Sequence, residues 1–303
     1  MLTPQQALDA INARFGRQEG HRALHAKGIL CSGVFTATAQ GGALTRAAHM
    51  RGEPVPALVR FSNGSGDPAE PDYEPDVRGM ATKLELPGGA ATDIVAQTIP
   101  RFPVRTPEAF IESIAATQPG AALAWRLPLF LARHPEALPS LPGTARALRP
   151  PLSFATRRYY AIHAFRWIDE EGTARHVRYR WVPDAGEHML SAREARRRGR
   201  DYLFEELPAR LGKGPVRFTL ELQIAAPGDP VDDPTAPWRD DRETVRGAAL
   251  EVTGVETGRE SGGEVLVFDP TNVVDGIELT DDPILRFRER AYTESVQRRL
   301  TGG

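Results

Sequence analysis

Eight short segments rich in β-branched and aromatic residues, each bounded by glycine or proline, constrain this chain more than any other feature. They fall at 29–38, 56–62, 79–86, 92–98, 159–168, 175–183, 215–225 and 247–255. Links such as Asp169-Glu170-Glu171-Gly172 are turn-like and short, which favours antiparallel neighbours. An eight-stranded sheet closed on itself is about the size that can enclose one small ligand. Helical spacing is confined to 4–15, 107–117, 119–134, 193–211 and the end of the chain, and the proline-rich stretch 226–245 reads as an ordered surface connection. No repeat or interdomain linker interrupts the pattern. The expected fold is therefore α+β: one domain over 1–303, an eight-stranded antiparallel β-barrel with surrounding helices, its core supplied by a 41% hydrophobic content.

Whole-chain charge points to no partner, so partners must be argued locally. Lysine plus arginine (38) nearly balances aspartate plus glutamate (40), so the whole-chain charge argues for neither nucleic acid nor a membrane. The most apolar stretch, 121–132, contains Arg126 and Pro128 and is too short to span a bilayer. A single cysteine, Cys31, cannot form an intrachain disulfide or a metal site, and reads as a small core residue in a reducing compartment. The N-terminus shows no basic segment followed by an apolar run, so the expected location is the cytoplasm, or the periplasm if a leader has been removed. The arginines at 193, 196, 197, 198 and 200 read as a solvated helix face, and Trp125, Trp167, Trp181 and Trp238 as packing groups.

The closing helix has the clearest local signals. Asp282 suits the N-cap and Pro283 the first helical position. Leu285, Arg288, Tyr292, Val296 and Arg299 recur every three or four residues and share a face. That face carries two arginines and a tyrosine where an ordinary buried stripe would be aliphatic. A tyrosine that ligates ferric iron must be a phenolate, whereas free tyrosine ionises near pH ~10. An arginine one turn earlier, as Arg288 is, can donate charge-assisted hydrogen bonds to that oxygen. Near the other end, His25 lies in Arg22-Ala23-Leu24-His25-Ala26-Lys27-Gly28, and an imidazole facing bound peroxide can take its proton and return it to the departing oxygen.

These residues resemble the haem catalase superfamily. His25-Ala26-Lys27-Gly28 is similar to its distal-histidine motif. Val59-Arg60-Phe61-Ser62 resembles the next motif, and Asp76-Val77-Arg78-Gly79-Met80-Ala81-Thr82-Lys83 its Asp-Pro-Arg-Gly-Phe-Ala segment. Phe268-Asp269-Pro270-Thr271-Asn272-Val273-Val274-Asp275-Gly276-Ile277-Glu278 resembles a further long stretch, and Arg288, Tyr292 and Arg299 fall on the proximal motif. The order and spacing agree over roughly 20–300. The resemblance implies a catalase-type barrel with haem b buried inside and Tyr292 as the iron ligand. It makes Arg288 the partner of that ligand and Arg22, Arg60 and Arg299 propionate anchors. His25 becomes the acid and base, Ser62 its hydrogen-bond partner, and Phe102 an aromatic near the distal haem face. Gln97 stands where the family has a distal asparagine. Arg180 falls where the family has a histidine supporting the proximal arginine, with Asp282 as the acidic member of that network.

The chain lacks the longer N-terminal arm and C-terminal helical region of full catalases and looks like a minimal, catalase-related peroxidase. Its expected partners are a peroxide and a small organic reductant, with no nucleic acid or membrane, in a monomer or homodimer. Weak catalase activity would accompany peroxidase turnover. Two alternatives compete: a fatty-acid hydroperoxide-converting enzyme of the allene oxide synthase kind, and a haem-binding protein without turnover. The former carries a hydroxyl residue just before the distal histidine, where Leu24 stands here. The latter would have no need of a proton shuttle at His25 and Ser62.

Overall fold

The expected strands form and close. The computed structural model of the chain describes residues 2–18, 20–259 and 266–301, with side chains through 298 in the last segment. Strands β1 (Gly28–Ala37), β2 (Val55–Asn63), β3 (Arg78–Glu85) and β4 (Ala91–Gln97) make one antiparallel meander. Strands β5 (Tyr159–Ile168), β6 (Ala174–Pro183), β7 (Val216–Ile224) and β8 (Thr244–Val255) make a second. β8 pairs with β1 along its length and β4 meets β5 at Gln97↔Tyr160, so the two meanders close into a ring. A ninth strand, β9 (Ile277–Leu279), pairs with β5; at three residues it is too short to leave a periodic signal.

The barrel is a packed core and not a container. Alternation sends Phe35, Phe61, Met80, Leu84, Tyr159, Trp181 and Phe218 inward, all fully buried. The Phe61 ring lies 5.6 Å from Phe154, 6.1 Å from Tyr159 and 6.0 Å from Phe218. Large aromatic side chains thus fill the space that a ligand would need. The ring's interior is filled, and the residues singled out at its first meander stand on the outer face.

Helix α1 (Pro4–Phe15) starts in a capping box between Thr3 and Gln6. After the four-residue α2 (Ala39–Gly42) come α3 (Pro107–Ala116), α4 (Leu123–Arg133) and α5 (Leu141–Ala147), of which α3 and α4 pack with Ile162 of β5. The single helix expected over 193–211 is two, α6 (Ala192–Arg198) and α7 (Tyr202–Leu211), because Gly199 takes φ 107°, which a helix cannot contain. The last helix, α8 (Pro283–Thr301), begins as expected: the Ile284 and Leu285 amides donate to Asp282 Oδ1 at 2.8 and 3.3 Å.

The connection expected over 226–245 is ordered up to the start of β8. Arg178 anchors it by donating to the carbonyls of Ala236, Pro230 and Asp233 while its guanidinium lies 4.5 Å from the Trp238 ring centre. Trp167, Trp181 and Trp238 pack as expected, but Trp125 does not. It stands exposed on α4, whose Phe130 faces the core instead. Among the described residues no helix is long and apolar enough to cross a membrane.

Candidate active site

The register of the first meander places Gly28, Ser62, Gly79 and Gln97 side by side across four strands, on the barrel's outer face. Two glycines in that row leave a floor without side chains, and the His25 ring lies on it. A Cβ at Gly79 would stand 2.6 Å from Ser62 Oγ and 2.8 Å from His25 Nδ1. Ser62 Oγ is 3.0 Å from His25 Nδ1. A Cβ at Gly28 would likewise strike the guanidinium of Arg60, at 2.2 Å from Cζ. The residue types at these strand positions are thus fixed by what lies over them.

His25 is the only non-glycine residue with positive φ among those described, at 56°. A left-handed conformation costs an L-residue roughly 1–2 kcal/mol. Three contacts hold it: the His25 amide donates to Gly64 O at 3.0 Å, the Ala26 amide to Ser65 O at 3.0 Å, and Arg60 Nη1 to His25 O at 3.0 Å. Behind them, the Gly64 and Ser65 amides donate to Asp76 Oδ2 at 2.7 and 3.0 Å. Asp76 therefore fixes the loop that fixes His25, a role the motif alone does not reveal. Part of the imidazole's surface is open, but dense protein on its other sides desolvates it. Burial, followed by the charges of Arg60, Arg288 and Arg22, pushes its pKa down to about 3. The ring is neutral at physiological pH, in the form that has a free lone pair.

The proximal side is built from α8. Arg288 Nη2 donates to Tyr292 Oη at 2.7 Å, the i, i+4 contact that the helical spacing implies. Its Nη1 lies 3.2 Å from His163 Nε2, and His163 Nδ1 lies 2.7 Å from Asp282 Oδ2. Asp282 and His163 are both buried. Asp282 thus caps α8 with one oxygen and anchors its functional chain of contacts with the other.

Here the sequence assignment of Arg180 is corrected. Arg180 Nε bonds Glu221 Oε2 at 2.6 Å, its cross-strand neighbour on β7, and the histidine supporting Arg288 is His163 of β5. The available signal was a lone histidine inside the apolar run Tyr159-Tyr160-Ala161-Ile162-His163-Ala164-Phe165.

Gln97 lies in the row beside Gly79, on the face that carries Ser62. Arg22 Nη2 donates to Leu266 O at 2.8 Å, and its guanidinium lies 5.9 Å from the Phe268 ring centre. Arg60 holds the carbonyls of His25 and Ala26. Phe102 packs on Phe110 at 5.1 Å in a cluster with Ile162 and Ile284, the neighbours of His163 and Pro283. The side chain of Arg299 lies outside the described residues.

The comparisons agree with this geometry. The family model for catalase matches residues 5–303. The chain belongs to the catalase family. It is 50% identical over 298 residues to a catalase-related peroxidase of Mycolicibacterium paratuberculosis, covering 98% of this chain and 95% of that protein. A catalase-related peroxidase of Synechococcus elongatus is 32% identical over 99% of this chain and 90% of its own length. Catalase-2 of Bacillus subtilis is 29% identical over 93% of this chain, which spans 44% of that longer protein.

The catalase family is a haem family, and the residues present fit that group. A phenol oxygen that accepts an arginine hydrogen bond suits ferric iron, a neutral imidazole lies on a glycine floor, and arginine charges surround that imidazole.

Proposed function

We propose that this protein is a haem b peroxidase that reduces hydrogen peroxide or organic hydroperoxides with electrons from a small organic donor. One observation carries the reading: the 2.7 Å bond from Arg288 to Tyr292, backed by His163 and the buried Asp282. A half-buried tyrosine on a surface helix has no need of a two-residue buried support, whereas an anionic oxygen ligand does.

Tyr292 would hold the iron and Arg288 would keep its oxygen supplied with positive charge. Arg22, Arg60 and Arg299 would meet the two propionates. When bound, haem supplies the two-electron redox chemistry that peroxide cleavage requires. His25 manages the proton. Its Nδ1 is held by Ser62, which leaves Nε2 to accept a proton from the peroxide and to return it to the departing oxygen. An imidazole whose pKa is held so low gives that proton back readily. Gln97 would hydrogen-bond the same peroxide through its amide. The products are water and, from an organic hydroperoxide, an alcohol; two donor electrons and two protons balance the equation. Leu24, in place of a hydroxyl residue before His25, supports peroxidase turnover over lipid hydroperoxide rearrangement.

The test is Tyr292→Phe. The wild-type protein loaded with haem should show a ferric high-spin spectrum that changes with one equivalent of peroxide and reverts when a donor is added. The variant should lose the tyrosinate-type spectrum and about 10²-fold or more of its turnover. Retention of both would overturn the assignment.

A further inference from the structure

The layer formed by α4, the turn after it and α5 presents an uncovered apolar face. Four of the six exposed large hydrophobic side chains among the described residues lie in it: Trp125 at 59%, Leu129 at 43%, Leu138 at 49% and Leu141 at 40% exposure. Pro128, Ala132 and Pro139 are exposed between them. The opposite side of α4, through Leu127, Phe130 and Leu131, packs into the cluster that contains Phe102. The helix therefore presents one apolar face to the core and a second to solvent, where an ordinary surface helix would be polar. Contiguous exposed apolar surface of this kind marks a contact site.

Charge identifies the occupant. Over 121–149 the sequence holds one acidic residue, Glu136, against four arginines. Glu136 lies beside His134, at 3.4 Å from Nδ1, and Glu112 of α3 reaches the same His134 at 3.0 Å from Nε2. Arg133, Arg146 and Arg149 are exposed around the apolar residues, and the Arg126 guanidinium sits 5.5 Å from the Trp125 ring centre. The near balance of charge over the whole chain hides this local excess. A tryptophan and leucines ringed by arginines match an anionic lipid surface: the indole sits at headgroup level, the leucines enter the acyl boundary and the guanidinium groups meet phosphates. A second copy of the chain fits worse, because a two-fold contact would set the arginine rim against itself.

We propose that this face docks the protein onto the surface of an anionic lipid bilayer. It lies on the membrane and does not cross it, which agrees with the absence of a spanning helix among the described residues.

The four tryptophans make the test direct, because Trp167, Trp181 and Trp238 are buried and Trp125 alone is exposed. The full chain is mixed with vesicles of phosphatidylcholine, or of phosphatidylcholine with roughly one-third phosphatidylglycerol. It should sediment with the anionic vesicles only, its emission should shift to the blue, and brominated acyl chains should quench it. Trp125→Ser with Leu129→Ser, and separately Arg133→Glu with Arg149→Glu, should each weaken partitioning by at least about tenfold. Both double variants should keep the wild-type thermal unfolding, since all four side chains point to solvent. Failure to bind anionic vesicles, or equal binding by the variants, would overturn the proposal. So would dimerisation without lipid that Trp125→Ser with Leu129→Ser abolishes, since that would assign the face to a second copy.

Discussion

The inner and outer faces of the first meander are made from the same four strands yet obey opposite rules. Inward positions carry Phe35, Phe61, Met80 and Leu84, chosen for volume. Outward positions in the row under His25 carry Gly28, Ser62, Gly79 and Gln97, chosen for what they leave open. The filled interior makes the barrel a rigid wall, and the site is an object laid against that wall. The chemistry needs a surface that does not move, and stability is supplied from the side it does not touch.

Substitution on the inner face should therefore affect stability and leave the chemistry intact. Phe61→Ala removes a ring packed against Phe154, Tyr159 and Phe218, and should cost about 3–5 kcal/mol in urea unfolding. Turnover per folded, haem-loaded molecule should stay within about twofold of wild type. A large loss of turnover at low temperature, where the variant is still folded, would mean that the two faces are coupled.

Gly79→Ala should do the reverse. Its methyl group would arrive 2.6 Å from Ser62 Oγ and 2.8 Å from His25 Nδ1, so the ring must leave the floor and its contact with Ser62. Losing a positioned acid and base should lower peroxide turnover by about 10²-fold, close to 2.7 kcal/mol of barrier. Unfolding should move by no more than about 1 kcal/mol, because the atoms displaced belong to side chains and not to the backbone. An unchanged rate would show that His25 does not depend on the glycine floor.

The two faces also differ in how legible they were from sequence. The alternation that sends Phe35 and Phe61 inward is a period of two, and it marks the strands of both meanders to within a few residues. Arg288 and Tyr292 were found for a similar reason, since helical spacing sets them one turn apart. His163 was missed because β5 breaks the rule. Its pairing with β6 shifts between Ala161 and Phe165, so the residues between them have no partner in the ladder. The irregular stretch turns His163 toward α8, whereas the family resemblance sets Arg180 of the neighbouring strand in that place. Asp76 was read as part of a motif, but its role is to hold two backbone amides, which have no signature in the sequence. The filled barrel was also illegible, because strand count sets the diameter of a ring and only the packed side chains show whether space remains.

The most gradual effect concerns two histidines, His25 on the outer face and His49 against the inward-facing Phe35. Burial pushes His49, packed 5.9 Å from Phe35, down to about 4, while His25 is pushed down to about 3, both from an ordinary 6.5. Between pH 6.5 and those values the unfolded chain binds a proton at each ring and the folded chain does not. Stability is therefore full above about pH 6.5 and falls as the pH drops, by about 1.4 kcal/mol per unit for each ring. Urea midpoints from pH 7 to 4.5 should show the combined slope. His25→Gln and His49→Phe should each flatten it by a similar share, although the first abolishes turnover and the second leaves it. If His25→Gln leaves the slope unchanged, the ring titrates in the folded protein as it does in the unfolded chain, and the low pKa given to it here would fall.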